Sequence, residues 1–115
     1  MNWHRKNKYG NTKQTYNGYS YHSKKEASYA AELDWRIKAK EVKEWTRQHR
    51  LDLRVNGELI CKYYIDFRAE LTDGTIEYIE VKGFETDVWR LKWKLTKAIF
   101  EELTEGEDAK LVLIK

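Results

Sequence analysis

The sequence predicts an α/β protein of the α+β type, in which a mixed sheet is flanked by helices. Two capped runs with helical spacing, turn signals at Asn56-Gly57 and Asp73-Gly74, and a short apolar run at the carboxyl end predict this fold class. The predicted order is helix, three strands, helix, strand. A chain of 115 residues that is 41% hydrophobic fits one folded domain.

The first helix is predicted over about Lys24 to Ala39. Ser23 and Glu26 have the Ser-x-x-Glu spacing of a capping box, which marks a helix start. Helical periodicity places Glu26 on the same face as Ala30 and Leu33. An acidic side chain therefore points toward the sheet, where it can serve a site, although a capping box alone also accounts for a glutamate here.

Three strands are predicted between the two helices. Residues 42–55 alternate apolar and polar side chains, and Asn56-Gly57 then marks a hairpin turn. An apolar-rich strand follows over 59–71, and a third strand runs from Thr75 to Gly83 after another turn. The three strands are therefore expected to be antiparallel neighbours.

The length of the second turn decides which side chains face each other. A two-residue loop puts Asp66 and Glu80 on opposite faces of the sheet. A three-residue loop, with Gly74 in the left-handed conformation, pairs Leu71 with Thr75. One face then holds the apolar pairs and the other the polar pairs: Ile65 with Val81, Phe67 with Ile79, and opposite them Asp66 with Glu80, Tyr64 with Lys82, and Arg68 with Tyr78. Because every pair matches in character, the three-residue loop is predicted.

The second helix is predicted to begin at Thr86, a plausible N-cap followed by Asp87. Its apolar stripe is expected at positions with helical spacing: Val88, Leu91, Leu95, Ala98, Ile99 and Leu103. Gly106 ends the run, and a last short strand is predicted over Ala109 to Ile114.

Positive charge is concentrated near the amino terminus. The net charge is +3, yet residues 1–25 carry six basic residues and no acid, so the remainder carries a net −3. The chain is therefore divided into a basic aromatic arm, 1–22, and a single domain, 23–115. The cations can contact phosphates and the interleaved tyrosines can stack on bases, although a solvated basic tail explains the pattern equally well. The cations concerned are Arg5, Lys6, Lys8, Lys13, Lys24 and Lys25.

Several function classes are disfavoured by composition. No apolar run approaches the roughly 20 residues needed to cross a bilayer, and no apolar segment follows the first cations, so neither a membrane nor a secreted protein is expected. The lone Cys61 cannot form an internal disulfide, which fits the cytoplasm. The histidines lack zinc-ligand spacing, and no phosphate-binding glycine motif is present, so neither zinc nor a nucleotide cofactor is expected.

The opposed carboxylates Asp66 and Glu80 predict a metal site. Two carboxylates facing each other across strands repel unless a cation lies between them or one is protonated. Their oxygens suit Mg²⁺, which often takes only one or two protein carboxylates and keeps open positions for water and phosphate. Lys82 projects from the same face and can orient or deprotonate a water or neutralise charge on a phosphate. A solvated face with ion pairs is the simpler explanation of such a trio.

The complete residue set resembles the PD-(D/E)XK nuclease superfamily. The motif is Ile65-Asp66-Phe67, then Glu80-Val81-Lys82 after a hairpin, with Glu26 on the preceding helix. Several blocks resemble, more closely, small phage endonucleases related to Holliday junction resolvases. These blocks are Lys8-Tyr9-Gly10-Asn11, Ser23-Lys24-Lys25-Glu26-Ala27, Gln48 and Val81-Lys82-Gly83-Phe84. The proline of the motif is replaced by Ile65, a position that supports the strand and does no chemistry.

The resemblance implies a restriction-endonuclease-like fold and assigns roles to individual residues. Asp66, Glu80 and the backbone carbonyl of Val81 are expected to ligate Mg²⁺, for which Mn²⁺ can substitute, and Glu26 to complete the acidic cluster. Lys82 is expected to act on the nucleophilic water. The catalytic set is thus Glu26, Asp66, Glu80 and Lys82, while Gln48 receives no firm role.

A second basic patch is predicted on the second helix. Arg90, Lys94 and Lys97 follow helical spacing, and Trp89 and Trp93 lie beside them. These cations are candidates for contacts to DNA. A charged solvent face, with the two tryptophans in the core or at a dimer contact, is an equally good explanation.

The resulting expectation is a metal-dependent DNA endonuclease, selective for branched DNA such as a Holliday junction and active in phage DNA processing. The resemblance implies a homodimer, because one acidic cluster per chain cuts one strand. The expected compartment is the cytoplasm, that of the host bacterium if a phage encodes the chain. The alternative is a non-catalytic nucleic-acid-binding module with a nuclease-like fold, but such a module has no reason to place three acids near a phosphate.

Overall fold

The computed structural model describes residues 14–16, 19–21 and 23–115, and side chains from Ser23 onward. Six strands and three helices are formed within these residues. In chain order they are β1 Gln14–Tyr16, β2 Tyr19–Tyr21, α1 Lys24–Lys38, β3 Val42–Val55, β4 Glu58–Leu71, β5 Ile76–Val81, α2 Asp87–Ala98, α3 Phe100–Leu103 and β6 Ala109–Ile114. The predicted order is confirmed from α1 onward, and β1 and β2 form a short hairpin that the sequence analysis did not anticipate.

The main sheet has four strands in the order β3-β4-β5-β6. The first three are antiparallel, and β6 pairs in parallel with β5 after the crossover through α2 and α3. Asn56 and Gly57 both have positive φ, at 52° and 82°, which is the geometry of the two-residue hairpin turn that Asn-Gly favours. The predicted mixed sheet with flanking helices is therefore confirmed.

Helices cover both faces of the sheet. On one face Ala30 and Leu33 of α1 pack against Phe67, Ile79 and their neighbours. On the other face the tryptophans of α2, with apolar side chains of α3, pack against Tyr78 and its neighbours. Within the described part of the chain, no helix is long and apolar enough to cross a membrane.

The three-residue turn between β4 and β5 is confirmed. The Leu71 N–H donates to the Thr75 carbonyl at 2.8 Å, and Gly74 has a φ of 92°. Phe67 lies opposite Ile79 and Arg68 opposite Tyr78, as this loop length requires. The register that decides whether the acids can meet is thus the one predicted.

Two details of the predicted core are wrong. Ile65 packs with the α2-side cluster while Val81 packs with the α1-side cluster, so these two residues do not share one core face. Their separation follows from the strands themselves, because the ladder between β4 and β5 ends at Phe67 opposite Ile79 and does not reach them. Alternation across a continuous ladder therefore does not extend to this pair.

The predicted apolar stripe of the second helix is wrong in part: Leu95, Ile99 and Leu103 pack against the core, whereas Val88, Leu91 and Ala98 are exposed. Trp89, Trp93 and Thr96 are the buried residues of α2, whereas Val88 and Leu91 are 65% and 69% exposed. Apolar residues occur on several sides of this helix, and two indoles bury more surface than a valine and a leucine, so packing favours the tryptophan side. The helix also ends earlier than predicted, at Ala98, because Ile99 leaves helical geometry before the short α3.

Candidate active site

The candidate site lies where the two central strands part. Strand β4 remains paired with β3 as far as Glu58, and β5 remains paired with β6 as far as Val81 opposite Ile114. The Lys82 N–H continues this pairing by donating to the Ile114 carbonyl at 2.8 Å. The ladder between β4 and β5, however, ends one residue before Asp66 and Glu80. The two acids therefore occupy the fork between two strand pairs.

Carboxylates replace backbone partners at this fork. The Asp66 N–H donates to Glu80 Oε1 at 3.2 Å, and the Val81 N–H donates to Asp66 Oδ2 at 2.8 Å. Each acid thus satisfies a backbone donor that the parting strands leave without a ladder partner. The two side chains are buried, with 8% of Asp66 and 2% of Glu80 exposed. The predicted opposition of Asp66 and Glu80 is therefore realised through side chains rather than through the ladder.

Glu80 is surrounded by donors. Its Oε2 accepts from the Trp89 indole Nε1 at 2.8 Å and lies 3.1 Å from Lys82 Nζ. The same indole N–H is 3.1 Å from the Tyr63 hydroxyl. Lys82 Nζ also lies 5.0 Å from the centre of the Trp89 ring, within the range of a cation–π contact. These contacts fix the side chains of Glu80 and Lys82 beside one another.

The acids open into a cleft of about 290 Å³. Its lining comes from β3, β4, β5 and the start of α2: Gln48, Tyr63, Tyr64, Asp66, Glu80, Lys82, Thr86, Val88, Trp89 and Lys92. Tyr64 and Lys82, which were predicted to face each other, both line this cleft, and Tyr64 is 51% exposed. An exposed aromatic ring and two amines at the mouth of an acidic pocket can receive an anionic ligand that carries bases.

Glu26 lies on the inward face of α1, as predicted. Ser23 caps the helix by accepting the Glu26 N–H at 3.1 Å, and Glu26 is only 4% exposed. Its carboxylate accepts a hydrogen bond of 3.4 Å from the Gln48 amide. Gln48 has a left-handed φ of 51° within β3, a conformation that costs about 1 to 3 kcal/mol for a residue other than glycine. Strain of this kind concentrates at functional sites, so its position on the cleft is informative.

The acids are electrostatically coupled. Burial, followed by the negative charges of Glu80 and Glu26, raises the pKa of Asp66 to about 8, and the Val81 N–H and the Lys82 charge only partly oppose this shift. Burial and the neighbouring Glu80 also raise the pKa of the Tyr63 hydroxyl. Burial and the neighbouring acids destabilise the ionised form of Asp66. A bound cation would stabilise that ionised form, so the raised pKa favours cation binding at this site.

Residues 6–111 match the family model described as "Protein of unknown function (DUF1064)". The chain belongs to this family. No curated protein and no solved structure matches the chain.

The donor set in this family member fits a hard divalent cation in the two-carboxylate mode. Asp66 and Glu80 supply carboxylate oxygens, and Val81, which follows Glu80 in the chain, donates its N–H to Asp66. Among the residues that the structure describes, no three or more His, Cys, Asp or Glu side chains are grouped closely enough to hold one metal ion. Glu26 is near enough to raise the pKa of Asp66 but is bound to Gln48. Mg²⁺ is often held by only one or two carboxylates, so the pair is sufficient by number.

Of the nine predicted DNA-contact residues, five lie in the part of the chain that the structure describes. Arg5, Lys6, Lys8 and Lys13 lie outside the described residues. Lys24 and Lys25 are exposed at the start of α1. Arg90, Lys94 and Lys97 are exposed on α2 but do not line the cleft, and Arg90 is paired with Asp87 at 3.0 Å. The second basic patch is therefore separate from the acids.

Sequence reasoning missed three residues of the site. Trp89 and Tyr63 contact Glu80, and Lys92 lines the cleft, yet none of them was singled out for the site. Trp89 lies three residues after the cap Thr86, whose hydroxyl accepts the Trp89 N–H at 3.1 Å. That spacing was visible in the sequence, and it places Trp89 in the first turn, beside the end of β5. Choosing the buried face of α2 by its tryptophans would have found it.

Proposed function

We propose that this protein is a metal-dependent endonuclease that hydrolyses phosphodiester bonds in DNA. The observation that carries the proposal is the fork in the sheet, where Asp66 and Glu80 are buried together beside Lys82. Purely structural acids are normally paired with cations, whereas this pair shares a single lysine and opens into a cleft. The resemblance of the motif residues to PD-(D/E)XK nucleases supports the same assignment.

In this proposal Asp66, Glu80 and the Val81 carbonyl hold Mg²⁺, with Glu26 nearby. The ion supplies positive charge that polarises the scissile phosphodiester and acidifies water. Mn²⁺, which accepts the same oxygen ligands, is expected to substitute.

Lys82 acts on the water and the phosphate. The water oxygen attacks phosphorus, the bond from phosphorus to the leaving oxygen breaks, and the proton lost by the water is balanced by one gained at the leaving oxygen. Lys82 Nζ lies 3.1 Å from Glu80 Oε2 with 23% of its side chain exposed, so it reaches both the carboxylate and the open cleft. From there it orients the water or neutralises charge that develops on the phosphate.

The proposed substrate is branched DNA, and the proposed active form is a homodimer. One acidic pair per chain cuts one strand, so paired cuts in a branched substrate require two chains related by twofold symmetry. The arm, 1–22, would add phosphate contacts from its cations. Such an enzyme works where its DNA is, in the cytoplasm, and uses no nucleotide cofactor.

The direct test is cleavage of end-labelled DNA by the purified chain. A four-way junction, a flap, a fork and a linear duplex are incubated with Mg²⁺, with Mn²⁺ and with EDTA. We expect metal-dependent cuts with a preference for a branched substrate. Binding of DNA without cleavage under every metal condition would instead support the non-catalytic nucleic-acid-binding module.

The contribution of the arm is tested separately. Deleting residues 1–13 removes Arg5, Lys6, Lys8 and Lys13, so the slope of log affinity against log salt is expected to become shallower by up to ~3.6 units. An unchanged slope would show that the arm does not contact DNA.

A further inference from the structure

Trp89 contacts two site residues through two different parts of its side chain. The indole N–H donates to Glu80 Oε2 at 2.8 Å, and the ring face receives Lys82 Nζ at 5.0 Å from its centre. Trp89 is 8% exposed and stacks on Trp93 with ring centres 5.5 Å apart, so its position is fixed by the core. A rigid side chain is well suited to hold flexible ones.

We propose that Trp89 is the positioning residue of this site, orienting Glu80 through its N–H and retaining Lys82 over its ring. This inference rests on the proposed function, since it deepens the roles of Glu80 and Lys82 within it. An indole N–H is a neutral donor, so it fixes a carboxylate without adding a positive charge that would compete with a metal ion. The ring face provides a weak second location for the lysine when Glu80 is engaged elsewhere.

Glu80 is held in place through both of its carboxylate oxygens. Oε1 accepts the Asp66 N–H, and Oε2 accepts the indole N–H, so donors on both sides hold the plane of the carboxylate. Without the indole donor, one of these restraints is lost, while the Lys82 ion pair at Oε2 remains. When a metal ion replaces Lys82 at Oε2, the indole N–H is the donor that keeps this oxygen in place.

The test variant is Trp89→Phe, which removes the N–H but keeps an aromatic face. Loss of such a supporting hydrogen bond typically weakens metal binding or activity by about 10- to 100-fold. We expect the dissociation constant for Mn²⁺ alone, measured by calorimetry, to rise by that factor, and kcat to fall while KM for DNA stays near its wild-type value. A second variant, Trp89→Leu, also removes the ring face and is expected to lower kcat further.

The chain offers a matched control in Trp45. Its indole N–H donates to Asp34 Oδ1 at 2.9 Å, so Trp45→Phe deletes the same kind of bond to the same kind of acceptor away from the cleft. This control is expected to leave the Mn²⁺ affinity and kcat within about twofold of wild type, although both variants lose some stability.

A measurement on the wild-type chain guards against poor folding of the variants. Titration with Mg²⁺ is expected to shift the Trp89 indole N–H resonance in a ¹H–¹⁵N spectrum, because the Glu80 carboxylate that accepts this N–H then also binds the metal ion, and to leave the resonance of Trp45 in place. Metal binding with equal effects of the two Phe variants, or with no shift at Trp89, would overturn the positioning role alone. A wild-type chain that neither binds Mn²⁺ nor cleaves DNA would overturn the proposed function, and this inference with it.

Discussion

Two polar clusters on opposite faces of the same sheet each combine two acids with one cation, but they place the cation differently. On the α1 face, the Arg36 guanidinium lies 2.8 Å from Glu41 and 3.0 Å from Glu77, so both acids share a fixed cation. Partial burial lowers the pKa of Arg36, but the hydrogen bonds and charges of Glu77 and Glu41 together outweigh burial and raise the pKa above its ordinary value. On the α2 face, Asp66 and Glu80 are more deeply buried and face one another. Their shared cation is Lys82, which is paired with Glu80.

The difference is the one expected between a structural cluster and the proposed metal site. In the Arg36 cluster the guanidinium contacts both acids directly, so the cluster stabilises the native state. In the acidic cluster the fold holds a carboxyl whose pKa is raised, which costs stability in the absence of a cation. A protein can retain such a loss of stability when ligand binding offsets it. Such destabilised carboxyl groups are therefore expected at sites that bind ions. We therefore expect substitutions in the acidic cluster to lower cleavage and substitutions in the Arg36 cluster to lower stability.

The largest expected effect is on cleavage by Asp66→Asn. This change keeps the shape but removes the charge that the proposed metal needs, so cleavage should fall by about 10³-fold, which corresponds to about 4 kcal/mol of transition-state stabilisation. DNA binding should be equal or tighter, because a negative charge near the phosphate is lost. Cleavage and electrophoretic binding assays measure the two effects. Glu77→Gln, in the other cluster, should leave cleavage intact, and equal losses in both variants would contradict the distinction.

The next effect is on stability in the Arg36 cluster. Arg36→Met leaves Glu41 and Glu77 without their cation and should lower the free energy of unfolding by about 1 to 3 kcal/mol. Cleavage at a temperature where the variant is folded should not change. Urea denaturation followed by circular dichroism measures the stability. A loss of cleavage without a loss of stability would show that the two faces are coupled.

A third effect is the pH dependence of the metal-free protein. The pKa of Asp66 is near 4 when unfolded and is raised to about 8 when folded, so the folded state binds more protons between these values. Stability should therefore fall as pH rises from 5 to 8, by at most ~1.4 kcal/mol per pH unit from this group. Thermal melts in EDTA should show the slope in wild type and a flatter profile in Asp66→Asn. Saturating Mg²⁺ should also flatten it, and identical slopes in all three would refute the raised pKa.

The smallest effect concerns strain at Gln48. Gln48→Gly relieves the left-handed backbone but removes the hydrogen bond to Glu26, so stability should change by less than about 1 kcal/mol. Cleavage should fall by about tenfold, because Glu26 loses the partner that orients it. Asn56→Gly, at a φ of 52° in the exposed hairpin turn, is the matched control and should leave cleavage unchanged. Equal cleavage by both variants would remove Gln48 from the site.

Most of the fold could be predicted because local rules determine it. Ser23 and Thr86 cap their helices as predicted, Asn56-Gly57 forms the first hairpin turn, and β6 spans the predicted residues. Turn chemistry also fixed the register of β4 and β5, which follows from Gly74 in the left-handed conformation. Each of these features depends on neighbours within a few residues, so the order of residues is sufficient to specify it.

The partners of the candidate site depended on packing between distant segments. The sequence determined that Asp66, Glu80 and Lys82 lie on neighbouring strands and that Glu26 is on the inward face of α1. It did not determine which side of α2 would be buried, because that helix carries apolar residues on more than one side. Only the tertiary structure decided that the side of α2 with Trp89 is buried. Burying two indoles removes more apolar surface from water than burying the side with Val88 and Leu91. That choice brought the indole to Glu80, and the parting of β4 from β5 left the cleft in which the acids meet.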